Sequence, residues 1–171
     1  MADYNMRPAV EGDCEEILRL IQELAVYENM PEQVKMTIEK LRRDGFGEQK
    51  FFHCLVVEDT TAKTPEGKAF LWGYALYYFT YSTWEGRVMY LEDLYMSPTY
   101  RGRGTGTKLF QAVTQVGVEK DCQRMQWVVL NWNKPSIDFY KSRGAWDVTA
   151  KENWNIFRMD RPELEQLSKA N

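Results

Sequence analysis

One histidine, His53, serves the whole 171-residue chain, so any triad or histidine-based metal scheme would depend on a single imidazole. It stands among Phe51, Phe52, Cys54 and Leu55, the setting of a structural residue, and no metal site is expected. Cysteine is scarce too. Cys14, Cys54 and Cys122 are odd in number and scattered, which argues against a disulfide framework and a zinc site. Such usage points to a reducing, intracellular compartment, and we expect a cytoplasmic protein. A long apolar run is also missing. Ala69–Phe79, the most apolar stretch, is too short to cross a bilayer and is broken by Gly73, so no membrane association is expected. The opening Met1–Arg7 has no apolar leader core. Basic excess is absent as well: a net charge of −3 argues against a general nucleic-acid binder.

What is present suits one folded domain, 1–171, with 44% apolar residues to build a core. Tyr4–Arg7 reads as a short strand. Asp13, with Glu16 three residues on, reads as the cap of a helix whose Ile17, Leu20, Ile21 and Leu24 share one face. Thr37 caps a second helix that ends at Gly45 or Gly47. Phe51–Glu58, Ala69–Tyr78 and Arg87–Met96 read as strands of an antiparallel meander, joined by the polar stretch Asp59–Lys68 and the turn Thr80–Gly86. Leu109, Phe110, Val113 and Val116 mark a further helix, followed by a strand at Met125–Leu130. A short helix then carries Pro135 in its first turn and stops at Gly144, and Asn153–Met159 reads as a closing strand. The order implies a mixed α/β fold with a largely antiparallel start and one crossover helix.

The most informative segment is Arg101-Gly102-Arg103-Gly104-Thr105-Gly106, between a strand and a helix. Glycines there let backbone N–H groups approach an anion, and the helix adds its positive end. The expected ligand carries phosphate. A P-loop is excluded because Lys108 lies between Thr107 and Leu109. A dinucleotide fingerprint fails too: Thr107 takes the place of the third glycine, and the next strand runs into Asn131 rather than a carboxylate. Arg-x-x-Gly-x-Gly after a strand remains, and it resembles the pyrophosphate loop of the acetyl-CoA-dependent GNAT superfamily.

Further segments resemble the spermidine/spermine acetyltransferase family within it: Tyr90–Asp93, Tyr100–Gly102, Trp132–Ser136, Phe139–Lys141, Asp13–Ile21, Asp44–Gly47 and Phe52–Val56. The resemblance implies a GNAT-like mixed, mostly antiparallel splayed sheet flanked by helices, in which two parallel strands part to admit the pantetheine arm. It implies acetyl-CoA as donor, held by Leu94, Tyr95 and Met96, by Arg101, Gly102, Arg103, Gly104, Thr105, Gly106 and Thr107, and by Asn133, Lys134, Pro135 and Ser136. Tyr140 matches the family's general acid and Glu92 its acidic residue beside the amine. Tyr27, Glu28, Gln126, Trp127, Val128 and Glu152 match positions lining an amine channel. A homodimer is implied, with Asn153–Met159 contributing across the interface.

The chemistry required agrees with those residue types. An alkyl amine of pKa ~10.4 is neutral about once in a thousand molecules near pH 7.4, so a carboxylate must accept a proton. Strand alternation separates Glu92 and Asp93 to opposite faces unless a bulge intervenes. A tyrosine near ~10 can protonate a departing thiolate whose thiol lies near ~8.5, and direct attack on the thioester leaves Cys54 and Cys122 without a role. In the polyamine-acetylating branch an acid is expected at position 82. Tyr81-Ser82-Thr83-Trp84 instead resembles the branch acting on thialysine and lysine-like amines. The expected substrate is therefore a small cationic amine, thialysine-like or a di- or polyamine such as spermidine. The alternatives are acetylation of a protein lysine or N-terminus, and a noncatalytic acetyl-CoA-binding module.

Overall fold

The computed structural model describes residues 3–169, which form two compact units divided between Val128 and Val129. Met1 and Ala2 of the leader reading lie outside the described residues. The first unit is built on a five-stranded sheet whose strands lie in chain order. β1 (Tyr4–Pro8), β2 (His53–Lys63), β3 (Ala69–Ser82) and β4 (Gly86–Met96) pair antiparallel, and β5 (Arg124–Gln126) joins β4 in parallel. Parallel neighbours need a crossover, and α3 (Thr105–Glu119) supplies it. The mixed α/β reading holds.

Helical periodicity places the core. α1 (Cys14–Tyr27) buries Ile17 and Leu20, and α2 (Ile38–Phe46) buries Leu41, against Val56, Leu71, Tyr74, Leu76 and Tyr95 of the sheet. Met96, one residue beyond Tyr95, points to the opposite face. There Gly106 and Gly117 bring α3 close to Met96 and Met89.

Several expectations need correction. Asp13 stands at the N-cap of α1 as expected, but its side chain makes no cap bond; the carboxylate accepts from Arg7 at 2.7 and 2.9 Å and from the Val10 N–H at 2.8 Å, closing the 3₁₀ turn Glu11–Asp13 that precedes the helix. A nearby guanidinium out-competes helix N–H groups for this carboxylate. The connection Asp59–Lys68 is shorter than read, because β2 runs on to Lys63 and Lys63 pairs with Ala69. Asp59 instead folds the chain locally, accepting from the N–H groups of Thr61 and Ala62. Thr37 caps α2 as expected, accepting from Lys40 N.

The second unit contains α4 (Lys134–Lys141), α5 (Val148–Glu152) and α6 (Arg161–Ser168). Asn133 caps α4 by accepting from Ser136 N, and Asp147 caps α5 by accepting from Ala150 N. Asn153, in the left-handed region at φ 61°, ends α5. Asn153–Met159 is not a strand: it carries strand-forming side chains but pairs with no other strand among the described residues. Ile156 and Phe157 are left 76% and 92% exposed.

Gly73 marks the tightest crossing in the sheet. A Cβ there would lie 2.4 Å from the Tyr95 carbonyl oxygen and 2.4 Å from Met96 Sδ. Gly73→Ala should therefore destabilise the protein by about 1–3 kcal/mol through forced displacement of β4. The check is urea unfolding, where the midpoint should fall with the slope unchanged.

Candidate active site

β4 and β5 part. Their parallel ladder covers Val88–Tyr90 against Arg124–Gln126 and then stops. β4 continues to Met96 with β3 as its strand partner, so its other edge carries backbone groups beyond Tyr90 that no strand among the described residues uses. The expected strand Met125–Leu130 is cut short here. Where the ladder ends, Trp127 meets Phe110 of α3 edge-on at 5.8 Å between ring centroids. Leu94, Tyr95 and Met96 lie on the open stretch. The Met96 carbonyl already accepts from Arg101 Nε at 2.8 Å.

The glycine loop follows directly. Gly102 and Gly104 both hold φ 76°, which side-chain-bearing residues adopt only with strain, and a Cβ at either would meet nothing within 4 Å. Gly104 is the N-cap of α3 with no side chain to satisfy the first turn. The first helical bond runs from Lys108 N to Gly104 O, so the N–H groups of Thr105 and Gly106 precede it. The buried Thr105 hydroxyl has no hydrogen-bond partner among the described residues. An open cradle of backbone donors at a helix N-terminus fits a diphosphate. Arg101 does more than supply charge: its guanidinium lies over the rings of Tyr27 (5.2 Å) and Tyr95 (5.3 Å).

A β-bulge sets the acids. Leu76 pairs with Asp93 but Tyr77 pairs with Leu91, so Glu92 is the extra residue on β4. Tyr74 donates to Asp93 at 2.7 Å and Tyr78 donates to Glu92 at 3.0 Å. Tyr74 and Tyr78 share a face of β3, so both carboxylates face the same side. Burial pushes the Asp93 carboxyl up to about 6, against the Tyr74 hydrogen bond and with help from the charges of Glu92 and Glu28. Burial also raises the Glu28 carboxyl. Tyr78 is raised by burial and by Glu92, and so is Tyr90, whose ring stacks on Tyr78 at 5.2 Å. Asp93 and Glu28 are thus both elevated acids, and Asp93 is hydrogen-bonded to a buried tyrosine.

Other expected site residues have local duties. Ser82 sits at the tip of the β3–β4 hairpin, where its hydroxyl accepts from the N–H groups of Trp84 and Glu85. Gln126 ends the β5 ladder, while Val128 is exposed. In the second unit, Lys134 and Pro135 open α4, Lys134 pairs with Asp138, and Asn133 with Ser136 forms its cap. The Tyr140 ring meets Phe139 edge-on at 5.4 Å, and its carbonyl accepts from Arg143 N and Ala145 N. Glu152 accepts from the Trp154 indole at 2.9 Å.

The Acetyltransferase (GNAT) family model matches residues 16–145. The chain belongs to the GNAT acetyltransferase family. It is 49% identical over 169 residues to the thialysine N-epsilon-acetyltransferase of Bos taurus, a match covering 98% of this chain and 99% of that protein. Spermidine/spermine N(1)-acetyltransferase-like protein 1 of Homo sapiens is 44% identical over 94% of this chain, which corresponds to 23% of the human protein. In fold, an integron cassette protein of Vibrio cholerae matches with a TM-score of 0.76 at 20% identity, covering 99% of this chain and 100% of that one.

This GNAT protein is accordingly an N-acetyltransferase that uses acetyl-CoA. Its thiols suit direct transfer. Burial raises Cys14 to about 11 and Cys54 further, so neither offers a ready thiolate. Among the described residues no cluster of three or more histidine, cysteine or acidic side chains is arranged to hold a metal, and no helix is long and apolar enough to cross a membrane.

Asp93 carries a pH signature. Its folded pKa lies above the ~3.9 of an unfolded aspartate, so the fold favours the protonated form, and stability is lost as pH rises from about 4 through about 6. Asp93→Asn keeps an acceptor for Tyr74 and removes that loss. The stability gap between variant and wild type should grow with pH, reaching on the order of 2 kcal/mol by pH 7.5. Urea unfolding at several pH values from 4.5 to 7.5 measures it; a constant gap contradicts the assignment.

Proposed function

We propose that this acetyltransferase acetylates the primary amine of a small, lysine-like cation, with thialysine as the reference substrate. The observation that carries the reading is the β4 bulge, which turns Glu92 and Asp93 to one face and couples Asp93 to Glu28. An ammonium group is attracted to such a carboxylate cluster, and one carboxylate can then accept its proton. We assign that acceptance to Glu92, directly or through one water, and substrate contacts to Tyr27, Glu28, Gln126, Trp127, Val128 and Glu152. Bound acetyl-CoA supplies an acetyl thioester open to direct attack. Arg101, Gly102, Arg103, Gly104, Thr105, Gly106 and Thr107 hold its diphosphate. Backbone groups of Leu94–Met96 and the segment Asn133–Ser136 hold its arm, and Tyr140 returns a proton to the departing sulfur.

The preference for a lysine-like amine over a polyamine is supported by the relative named for thialysine and by the neutral Ser82, a turn cap where an acid would bind a second ammonium group. The two units act as one acetyltransferase domain, 1–171; the family match runs across their boundary. We also assign a homodimer in the cytoplasm. The exposed apolar Trp154–Met159 segment supports the first, and three free thiols support the second.

A thiol-release assay over thialysine, lysine, spermidine and a lysine-containing peptide tests the substrate class. Thialysine should show the highest kcat/KM; a peptide preference overturns the reading. In the same assay Tyr140→Phe should fold normally and lose about 10²-fold in turnover. Near-normal turnover would remove Tyr140 from the chemistry. For the dimer, sedimentation at micromolar concentration should give twice the 20.2 kDa chain mass, and Phe157→Asp should shift it toward monomer.

A further inference from the structure

Beside the glycine loop lies an aromatic platform that none of the roles assigned so far employs. Trp72 of β3 is 3% exposed, and its indole N–H donates to Asp59 at 2.7 Å. The Asp59 carboxylate is itself fixed by the Thr61 N–H, the Thr61 hydroxyl and the Ala62 N–H. The plane of the indole is therefore set by the sheet. Tyr100, the last residue before the loop, stacks on that plane with centroids 4.5 Å apart and an interplanar angle of 9°. Phe70 meets the outer ring edge-on at 6.2 Å, and Tyr4 approaches the indole at 5.5 Å.

Arg103 rests on this platform. Its guanidinium carbon lies 5.7 Å from the centroids of both Trp72 and Tyr100, and its residue stands between the two left-handed glycines, Gly102 and Gly104. Among the described residues Arg103 pairs with no carboxylate. The contrast with Arg7 and Arg19, both bound to acids, is the decisive point. A carboxylate partner would order an arginine and cancel its charge, whereas an aromatic face orders it and leaves the charge available to an anion. Ordering in advance lowers the conformational cost of binding.

We infer that Trp72 and Tyr100 are positioning residues for the acetyl donor: they hold Arg103, and the first turn of the glycine loop, in the geometry that accepts the diphosphate. The inference rests on reading Arg101–Thr107 as the diphosphate loop. Among the described residues the Tyr100 hydroxyl makes no hydrogen bond, so the ring alone carries the role.

The test is calorimetric titration of the full-length protein with CoA, together with kinetics on acetyl-CoA and on acetyl-pantetheine, which has no diphosphate. Tyr100→Ala should raise Kd for CoA roughly five- to tenfold, the scale of one lost cation–aromatic contact. The loss should appear in KM for acetyl-CoA, with turnover at saturation retained and kcat/KM for acetyl-pantetheine within about twofold of wild type. Tyr100→Phe should restore affinity. Arg103→Lys, which keeps the charge but loses the planar guanidinium beside the rings, should lose a similar factor, and the double variant should lose no more than either alone. Unchanged CoA affinity in Tyr100→Ala, or a loss shared equally by acetyl-pantetheine, overturns the inference. If Tyr100→Ala does not fold, Arg103→Lys decides: undiminished affinity overturns it. A wild type that binds no CoA instead overturns the diphosphate-loop reading, and this inference falls with it.

Discussion

Where the parallel ladder between β4 and β5 ends, at Tyr90 and Gln126, the backbone of β4 goes on to Met96 with β3 alone beside it. A buried strand edge must have its N–H and C=O groups paired, and a strand left with an open edge is either wet or reserved for another molecule. The bulge at Glu92 occupies the same stretch, because a bulge increases local twist and helps to turn β4 away from β5. One backbone irregularity therefore lies on the stretch of β4 that β5 leaves unpaired and turns both acids to one face. The glycine loop begins within a few residues of the strand's end, with Arg101 tied back to the Met96 carbonyl, so strand and loop are coupled by a hydrogen bond as well as by sequence.

The acids illustrate how burial and proximity select among similar groups. Glu92 and Asp93 are neighbours in sequence and on one face, but they differ in setting. Asp93 accepts from Tyr74, which is wholly buried, and shares its surroundings with Cys54 and Glu28. Glu92 accepts from the more exposed Tyr78. Burial above all, with help from the charges of Glu92 and Glu28, raises the Asp93 carboxyl to about 6. The tyrosines are consequently part of the electrostatic design of β4 and are not merely sheet packing.

Much of the fold was legible in the residues. The apolar spacing of Ile17, Leu20, Ile21 and Leu24, the Thr37 cap, and the run from Leu109 to Val116 each carry a period that belongs to one local structure, and all three helices form. The meander was legible for the same reason. Asn153–Met159 misled because strand propensity describes a side chain's fit to a sheet, while a strand also needs an edge to pair with, and no residue in the segment encodes one. The bulge lay beyond composition as well: it arises from the register of β3 on β4, although the choice between one acid and both was visible as a question of alternation. The resemblance assigned Arg101 and Arg103 to the donor without indicating what holds them. Their aromatic seats, Tyr27 with Tyr95 and Trp72 with Tyr100, are distant in sequence and have no periodic signature. Asp13 marks the start of α1 as read, but its side chain is drawn off the cap, because a helix-start motif takes no account of an arginine on a neighbouring strand.

The strands of the sheet lie in the order in which the chain presents them. Each of the first four can dock on its predecessor through a hairpin or, between β1 and β2, after two helices have formed, and the loop closures are correspondingly modest. The single parallel step comes last and waits for α3 to cross over. During synthesis, when N-terminal segments emerge first, β1 to β4 can assemble into a sheet before the glycine loop and α3 have left the ribosome. The acidic pair on β4 is thus oriented early, whereas the parallel edge beside it is paired only with β5. A nascent chain of this protein can therefore hold a finished acidic face on β4 while the parallel pairing of β4 with β5 is still to come.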